Sequence, residues 1–302
     1  MKINFKQGLL AILLAFTFSV PLSAQKKTEP AKNVMVEMRD GNSFNGVLKG
    51  RQGDTVTVES ATLGVLNLNI KNIKSITALD ASQLKNGVYW FENTHASRGF
   101  FAPTSFNLRK GEGYYSNILI GLNSVAYGFT DNFTIGAGGD AFTVLTGIAP
   151  TVLYVTPKFS FRGGENFTYG VGALIGSFGF NENRATAGIA YGVGTFGNRN
   201  NNVSVAVGYG FAEGSWSKQP VVTLSGQYRV ARKVSLMTEN YILPNVVFGV
   251  TGARFMNSNF SFDIGAMYGG LFGDAFSGGS SASAVAPIPF LGIALPFGHK
   301  KM

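Results

Sequence analysis

The sequence predicts an all-β protein, in which an antiparallel up-and-down β-barrel of about twelve strands follows a small N-terminal β module. Two observations predict the barrel: a strand-like unit recurs through the second half of the chain, and apolar and small residues alternate within its copies. The composition is a third, because 40 glycines and 26 phenylalanines accompany only 14% charged residues. Together they favour strands with one apolar face and one face of small side chains.

Residues 1–24 have the pattern of a secretory signal peptide. Lys2 and Lys6 precede an apolar run, and small residues close it at Ala24. No later run reaches about 18 apolar residues, so the sequence predicts no transmembrane helix. The chain has no cysteine, which excludes a disulfide framework and a thiolate zinc site. Export also argues against a nucleic-acid partner, despite a formal net charge of +9.

The remaining chain divides into four predicted parts. Residues 25–33 form a polar linker, and 34–80 form a small β module, in which Val, Ile and Thr alternate with polar residues between turn sequences. Within it, the stretch 36–48, "VEMRDGNSFNGVL", resembles the first strands of Sm-like and SH3-like small barrels. Residues 81–96 are an irregular connector, and the barrel is expected over 97–302.

The recurring unit begins at Asn132, Asn166, Asn202 and Asn259, and a fifth copy at Lys233 lacks the asparagine. With one exception, the first, third and fifth residues after each start are apolar. The second, fourth and sixth are mostly Gly, Ser, Thr or Ala. Because side chains alternate across a strand, each copy is predicted to be a strand with opposite apolar and small or polar faces.

Two short motifs in the first copy are explained by this repeated unit. Asn132-Phe133-Thr134 fits an N-glycosylation site, and Gly136 to Gly139 resemble a phosphate-binding loop. The asparagine pattern recurs in four copies where a turn leads into a strand, and no helix or lysine follows the glycines to hold a phosphate. Neither motif predicts a site.

Further strands are predicted between and beside the copies, at 99–108, 115–129, 150–161, 186–197, 219–230, 246–256 and 288–297. This gives about twelve strands, with about ten as the alternative count. Connections entering each copy are short, and those at the other end are longer on average. Short turns on one rim and long loops on the other are typical of outer-membrane barrels, where the turns are periplasmic.

The stretch "VAYGFTDNFTIGAG" and the final strand "APIPFLGIALPFG", which has an aromatic residue near its end, resemble the outer-membrane β-barrel proteins of Gram-negative bacteria. The resemblance covers residues 97–302. It implies a place in the cell outer membrane, contact with outer-membrane lipid and assembly by the barrel-assembly machinery. The N-terminal module and the C-terminus would then be periplasmic. An aromatic girdle is expected at the short-turn rim, from Phe129, Phe133, Phe159, Phe161, Phe167, Phe255, Phe260 and Phe297.

Charged residues within predicted strands are the candidate functional residues, because an unpaired charge facing lipid is unfavourable and an inward orientation is simpler. The lumen-lining candidates are Asp140, Lys158, Arg229, Glu239, Arg254 and Asp263. Three acids and three bases predict a mutually neutralised network, which either holds a narrow barrel together or lines a selective pore.

Two functions therefore remain open. The protein is a passive channel for small solutes, or a structural protein whose plugged barrel anchors the 34–80 module beside a periplasmic or cell-wall partner. An enzyme is not expected, because the two histidines, His95 and His299, both lie outside the predicted strands. No catalytic residue, metal site or cofactor is predicted.

Overall fold

A computed structural model describes residues 32–79, 84–85, 88–140, 151–180, 183–243, 246–273 and 281–298. The predicted signal peptide, most of the 25–33 linker and His299 lie outside these ranges. The chain forms two compact units, Met1–Val88 and Tyr89–Met302. In the described part, no helix is long and apolar enough to cross a membrane.

The N-terminal unit contains a five-stranded antiparallel sheet in the order β4-β3-β2-β1-β5. Its strands are β1 (Asn33–Met38), β2 (Ser43–Gln52), β3 (Thr55–Ser60), β4 (Gly64–Asn69) and β5 (Ile73–Ala78), with a 3-10 turn at Ile70–Asn72. Alternate residues of β1 and β3 form its core: Val34, Val36, Met38, Val56 and Val58, with Ile73. A Cβ at Gly46 would overlap the backbone carbonyl of Glu59, so β2 needs glycine there. The resemblance to Sm-like and SH3-like barrels stays a prediction.

Short strands β6 (Leu84–Lys85) and β7 (Val88–Tyr89) then form a two-stranded ribbon. The barrel follows, and its elements are β8 (Gly113–Ile118), β9 (Leu122–Gly128), β10 (Phe133–Asp140), β11 (Val152–Arg162), β12 (Phe167–Phe180), β13 (Asn183–Gly197), β14 (Asn201–Ala212), β15 (Ser215–Trp216), β16 (Val221–Ala231), β17 (Val234–Leu243), β18 (Val246–Met256), β19 (Ser261–Gly273) and β20 (Ser281–Phe297).

Twelve of these strands close into one antiparallel barrel. Sequence neighbours pair throughout, β14 pairs with β16, and β20 pairs with β8 to complete the ring. The two-residue β15 extends the β14 ladder in the connection to β16. The predicted fold class and the count of twelve strands are confirmed.

Two of the twelve predicted strand positions are nevertheless wrong. Residues 99–108 form no strand, and 115–129 is not one strand but parts of two, β8 and β9. The chain reverses between them at Leu119 and Ile120, which have φ values of 51° and 66°. Such a conformation is uncommon for residues other than glycine, so Leu119 and Ile120 do not indicate a turn from their residue types. The loss of the strand predicted at 99–108 and the division of 115–129 into two strands leave the total unchanged.

The barrel wall has the predicted two faces. In β14, Val203, Val205 and Val207 are exposed on the outside, whereas Ser204 and Ala206 between them are buried. The same alternation in the other repeat copies places apolar residues outside and small or polar residues inside. This exposed apolar outer surface is the surface that a hydrocarbon environment would cover.

Candidate functional site

The interior of the barrel holds a segment of the same compact unit, residues 90–109, which we call the plug segment. Twelve of its twenty residues are buried, among them Asn93, His95, Ser97, Phe100, Ala102, Thr104, Ser105 and Leu108. Its backbone and side chains hydrogen-bond to inward-facing residues of many strands, for example Thr134 of β10, Thr168 of β12 and Thr195 of β13. Residues 99–108, predicted to be a wall strand, therefore belong to the barrel filling.

Glu239 of β17 makes the densest of these contacts. Its fully buried carboxylate accepts the backbone N–H groups of Phe100 at 2.8 Å, Phe101 at 3.0 Å and Ala102 at 2.9 Å. The Tyr241 hydroxyl donates a fourth hydrogen bond at 2.7 Å. A Cβ at Gly99 would overlap the carboxylate, so this approach requires glycine. Three consecutive N–H groups on one anion form a strong, charge-assisted hold on the chain.

Arg254 and Asp263 form a buried ion pair on adjacent strands β18 and β19. Nε of Arg254 lies 2.7 Å from Oδ1 of Asp263, and Nη2 lies 2.8 Å from Oδ2. The guanidinium also donates to the carbonyls of His95, Arg98 and Gly99 in the plug segment. Arg98 joins from the plug side, with Nη1 3.2 Å from Oδ2 of Asp263. One carboxylate thus links the wall to the plug through two arginines.

Lys158 of β11 binds the plug segment through carbonyl groups. Its Nζ donates to the carbonyl oxygens of Ser97 at 3.3 Å, Thr104 at 2.8 Å and Phe106 at 2.7 Å. An ammonium group has three donors, and these three bonds use all of them. The lysine therefore fixes the plug segment to the wall at three positions between residues 97 and 106.

Arg229 of β16 holds the start of the plug segment near the short-turn rim. Its guanidinium donates to the carbonyl of Phe91 and the side chain of Asn200, both at 2.7 Å, and to the carbonyl of Arg232 at 2.6 Å. It also lies over the ring of Phe91, 4.6 Å from its centroid, and 5.1 Å from that of Trp90. Cation–π contact adds to the hydrogen bonds.

Asp140 lies apart from these residues and is the last residue of β10. It accepts hydrogen bonds from the backbone N–H and hydroxyl of Thr151, both at 2.7 Å, and from the N–H of Val152 at 3.0 Å. Of the six candidates, five are buried in contact with the plug segment or its neighbours, and Asp140 joins the ends of β10 and β11. The expected mutual pairing is found for one pair, Arg254 with Asp263.

Sequence reasoning did not identify two basic residues of this site. Arg98 lies in the plug segment, and Arg199 lies in the β13–β14 turn and donates to the carbonyl of Asn107 at 2.8 Å. Burial lowers the pKa of Arg199, although the nearby Glu92 carboxylate offsets part of this shift. Arg199 lies in a turn and Arg98 lies just before the predicted strand 99–108, so candidates taken from charges within predicted strands do not include them.

His95, which is predicted to lie outside the strands, is part of the plug segment. Its backbone N–H bonds to the Asn93 side chain at 3.0 Å, and its ring packs edge-on against Tyr114, 6.1 Å between centroids. Within the described ranges, no three His, Asp or Glu side chains are placed to hold a metal ion.

One apolar contact accompanies the polar ones. Phe100 is fully buried against Met237, Val250 and Phe290 of the wall. The rings of Phe100 and Phe290 meet edge-on, with centroids 4.9 Å apart. The plug segment is therefore held mainly by hydrogen bonds and ion pairs, with Phe100 as a fully buried aromatic anchor.

A cavity of about 290 Å³ lies next to the plug segment, on the side of the long connections. Its base is formed by Ser97, Arg98, Phe101 and Ala102. Its walls carry hydroxyl and apolar groups from Tyr114, Thr134, Thr156, Leu174, Ile189, Tyr191, Val221, Thr223 and Tyr241, with Lys158 among them. The plug segment thus fills the short-turn half of the barrel and leaves a chamber beyond it.

The predicted girdle residues lie where the short turns meet the strands. Phe129, Phe159, Phe161, Phe255, Phe260 and Phe297 are exposed, whereas Phe133 and Phe167 are half-buried. Some stack on one another: Phe133 and Phe159 have centroids 4.4 Å apart. Their role at a membrane interface stays a prediction.

The barrel is similar to solved porin structures. The KdgM porin has 10% identical residues and a TM-score of 0.43, over 61% of this chain and 98% of its own. The NanC porin has 11% identity and a TM-score of 0.36, over 61% of this chain and 97% of its own. OmpT, an outer membrane protein of Vibrio cholerae, has 11% identity and a TM-score of 0.32, over 88% of this chain and 94% of its own.

These likenesses concern the fold alone. No protein-family model matches the chain. No curated protein matches it.

Proposed function

We propose that this chain is an outer-membrane β-barrel protein whose barrel is closed by its own plug segment and anchors the N-terminal β module. The exposed apolar belt outside the barrel supports a place in lipid. The short turns support a periplasmic orientation for the module and the C-terminus, as in outer-membrane barrels generally. In this role the module is the part that meets a periplasmic or cell-wall partner.

The observation that carries this proposal is the filled interior. A twelve-stranded barrel is wider than an eight-stranded one, in which side chains alone fill the space. Here the additional space is occupied by residues 90–109, and the contacts of Glu239, Lys158 and Arg254 hold that segment to three separate strands. In the proposed role, a barrel filled by residues 90–109 is closed to solutes.

Conductance measurements test the closed state directly. Purified full-length protein, shown to be folded by its heat-dependent migration in gels, is placed in planar bilayers. We expect no reproducible conductance steps from the wild-type chain. A variant in which residues 93–107 are replaced by a short Gly-Ser linker should conduct, provided that it folds by the same criterion. Regular steps from the wild-type protein would contradict a closed barrel.

The anchoring role needs a separate test. A protease site is introduced into the connector near residues 81–83, and outer-membrane fragments, opened so that both faces are accessible, are treated with the protease. Release of the module into the soluble fraction is expected, because the proposal gives the barrel the whole of the membrane attachment. A cut module that stays with the membrane would show that it has its own membrane affinity.

Passage of small solutes is a second candidate function, favoured by the polar nature of the plug contacts. Hydrogen bonds and ion pairs can be exchanged for bonds to water, so displacement of residues 90–109 costs less than removal of an apolar core. The chamber beyond the plug segment would then be one end of the path. Under this second function, applied voltage opens the wild-type barrel, and Glu239→Gln opens it at lower voltage.

A further inference from the structure

The chamber beyond the plug segment has two charged lining residues, Arg98 and Lys158, whose charged groups are not available to a ligand. Nζ of Lys158 donates to three carbonyl oxygens of the plug segment, and Nη1 of Arg98 is bonded to Asp263. The Nε and Nη2 atoms of Arg98 and Oγ of Ser97 are sealed from the chamber by the surrounding protein. No Asp or Glu occurs among the described lining residues. Within the described ranges, the chamber therefore offers no accessible charge.

Hydroxyl groups of the barrel wall are available instead. Those of Tyr114, Thr156, Tyr191 and Thr223 line the chamber and form no hydrogen bond in the described part of the chain. None of the four oxygens is among the fully buried polar atoms, so each keeps surface that a small molecule can reach. A hydroxyl group both donates and accepts hydrogen bonds, so it suits uncharged partners such as the hydroxyl groups of a ligand.

An inward glycine leaves room for the ring of Tyr191 against the wall. A Cβ at Gly172 would lie 2.5 Å from the Tyr191 hydroxyl oxygen and 2.7 Å from its Cζ, so the tyrosine lies across this glycine. Gly172 is the register partner of Lys158 on β11, two residues from Thr156. The hydroxyl groups of Tyr191 and Thr156 therefore belong to one side of the chamber.

Other lining residues are aliphatic. Leu174, Ile189 and Val221 line the chamber, and Leu174 and Ile189 are register partners on β12 and β13. Aliphatic side chains form no hydrogen bonds, so they favour the carbon surface of a ligand over water. A volume of about 290 Å³ is at the lower end of the range for small-molecule sites, which suits a molecule of about one ring.

We propose that this chamber binds an uncharged ring molecule that carries hydroxyl groups along one edge and is otherwise apolar. Its hydroxyl groups exchange hydrogen bonds with Tyr191 and Thr156, and its carbon surface packs against Leu174, Ile189 and Val221. A charged molecule of the same size is disfavoured, because it would lose its hydration and find no accessible opposite charge. The proposal is independent of the anchoring role, because the residues that hold the ligand all belong to the barrel wall.

Three probes of similar size test the preference for an uncharged ligand: cis-1,2-cyclohexanediol, cyclohexanecarboxylate and cyclohexylammonium. Full-length protein in zwitterionic lipid nanodiscs carries isotope-labelled methyl groups, and the NMR signals of Leu174, Ile189 and Val221 are followed as each probe is added. These methyl groups lie inside the barrel, so probe dissolved in the lipid does not contact them. We expect saturable shifts with the diol and binding about tenfold or more weaker for both charged probes. Equal affinity for all three probes, or no shift with the diol, would overturn the proposal.

Two variants locate the site. Tyr191→Phe removes one hydroxyl group and keeps the ring, so diol binding should weaken about threefold to tenfold. Tyr209→Phe is the matched control, because Tyr209 is exposed on the outer face of β14, and it should leave diol binding unchanged. Thr223→Phe should abolish diol binding by filling the chamber. If Thr223→Phe fails to fold, Tyr191→Phe still decides the question, and wild-type diol affinity in folded Tyr191→Phe protein would refute the site.

Discussion

The hold of Glu239 on the plug segment leads to the most direct prediction. Glu239→Gln keeps the size of the side chain and removes its charge. In the wild type, Oε2 accepts the N–H of Phe100, while Oε1 accepts those of Phe101 and Ala102 and the hydroxyl of Tyr241. A glutamine has a single carbonyl oxygen, so at least the Phe100 N–H must face an NH₂ group and lose its acceptor.

The magnitude follows from these four contacts. One buried donor left without an acceptor costs about 1–3 kcal/mol. The other three bonds change from charge-assisted to neutral, which removes roughly 1 kcal/mol or more from the sum. We therefore expect Glu239→Gln to destabilise the docked plug segment by about 3 kcal/mol, equivalent to an opening equilibrium roughly a hundredfold more favourable.

Amide hydrogen exchange measures this opening residue by residue. The amides of Phe100, Phe101 and Ala102 should be protected in the wild type and exchange about a hundredfold faster in Glu239→Gln. Glu213→Gln is the control, because the Glu213 carboxylate is exposed, lies outside the plug contacts and accepts one backbone N–H, that of Thr186. Unchanged exchange of the three plug amides in folded Glu239→Gln protein would refute the reasoning.

Two further predictions concern the wall. Asp263→Asn leaves the buried guanidinium groups of Arg98 and Arg254 without their shared carboxylate, so urea unfolding should show a loss of about 3–5 kcal/mol, whereas Asp131→Asn, at an exposed turn, should change little. Equal stability of the two variants would contradict a buried ion cluster. Val205→Arg places a charge on the outer apolar face and should destabilise folding into lipid by about 2–4 kcal/mol, whereas Val205→Leu should be nearly neutral. A tolerated arginine would mean that this face does not meet hydrocarbon.

The alternation of faces could be predicted because it is a local property. Each strand carries its own period-two pattern, so Val203 to Val207 indicate their orientation without reference to any other part of the chain. The same holds for the inward orientation expected of Lys158 and Glu239, since position within a strand determines the face. Repetition of the pattern then predicted a closed sheet.

The plug segment could not be predicted in this way. "GFFAPTSFNL" mixes apolar and polar residues at intervals that also suit a strand, and nothing in residues 99–108 themselves specifies their partners. Their backbone N–H and C=O groups are satisfied by Glu239, Lys158 and Arg254, which lie between about 50 and 160 positions further along the chain. Only the folded barrel brings these groups together.

By itself, then, the sequence determined the all-β barrel, the face on which the residues of each repeat copy lie and the inward orientation of the charges within predicted strands, because these depend on local periodicity. Tertiary structure decided that β8 and β9 are separate strands, that residues 90–109 fill the interior and that Arg98 shares the carboxylate of Asp263 with Arg254. The physical reason is that buried polar groups take whichever partners the closed barrel brings within hydrogen-bonding distance, and those partners are distant in sequence.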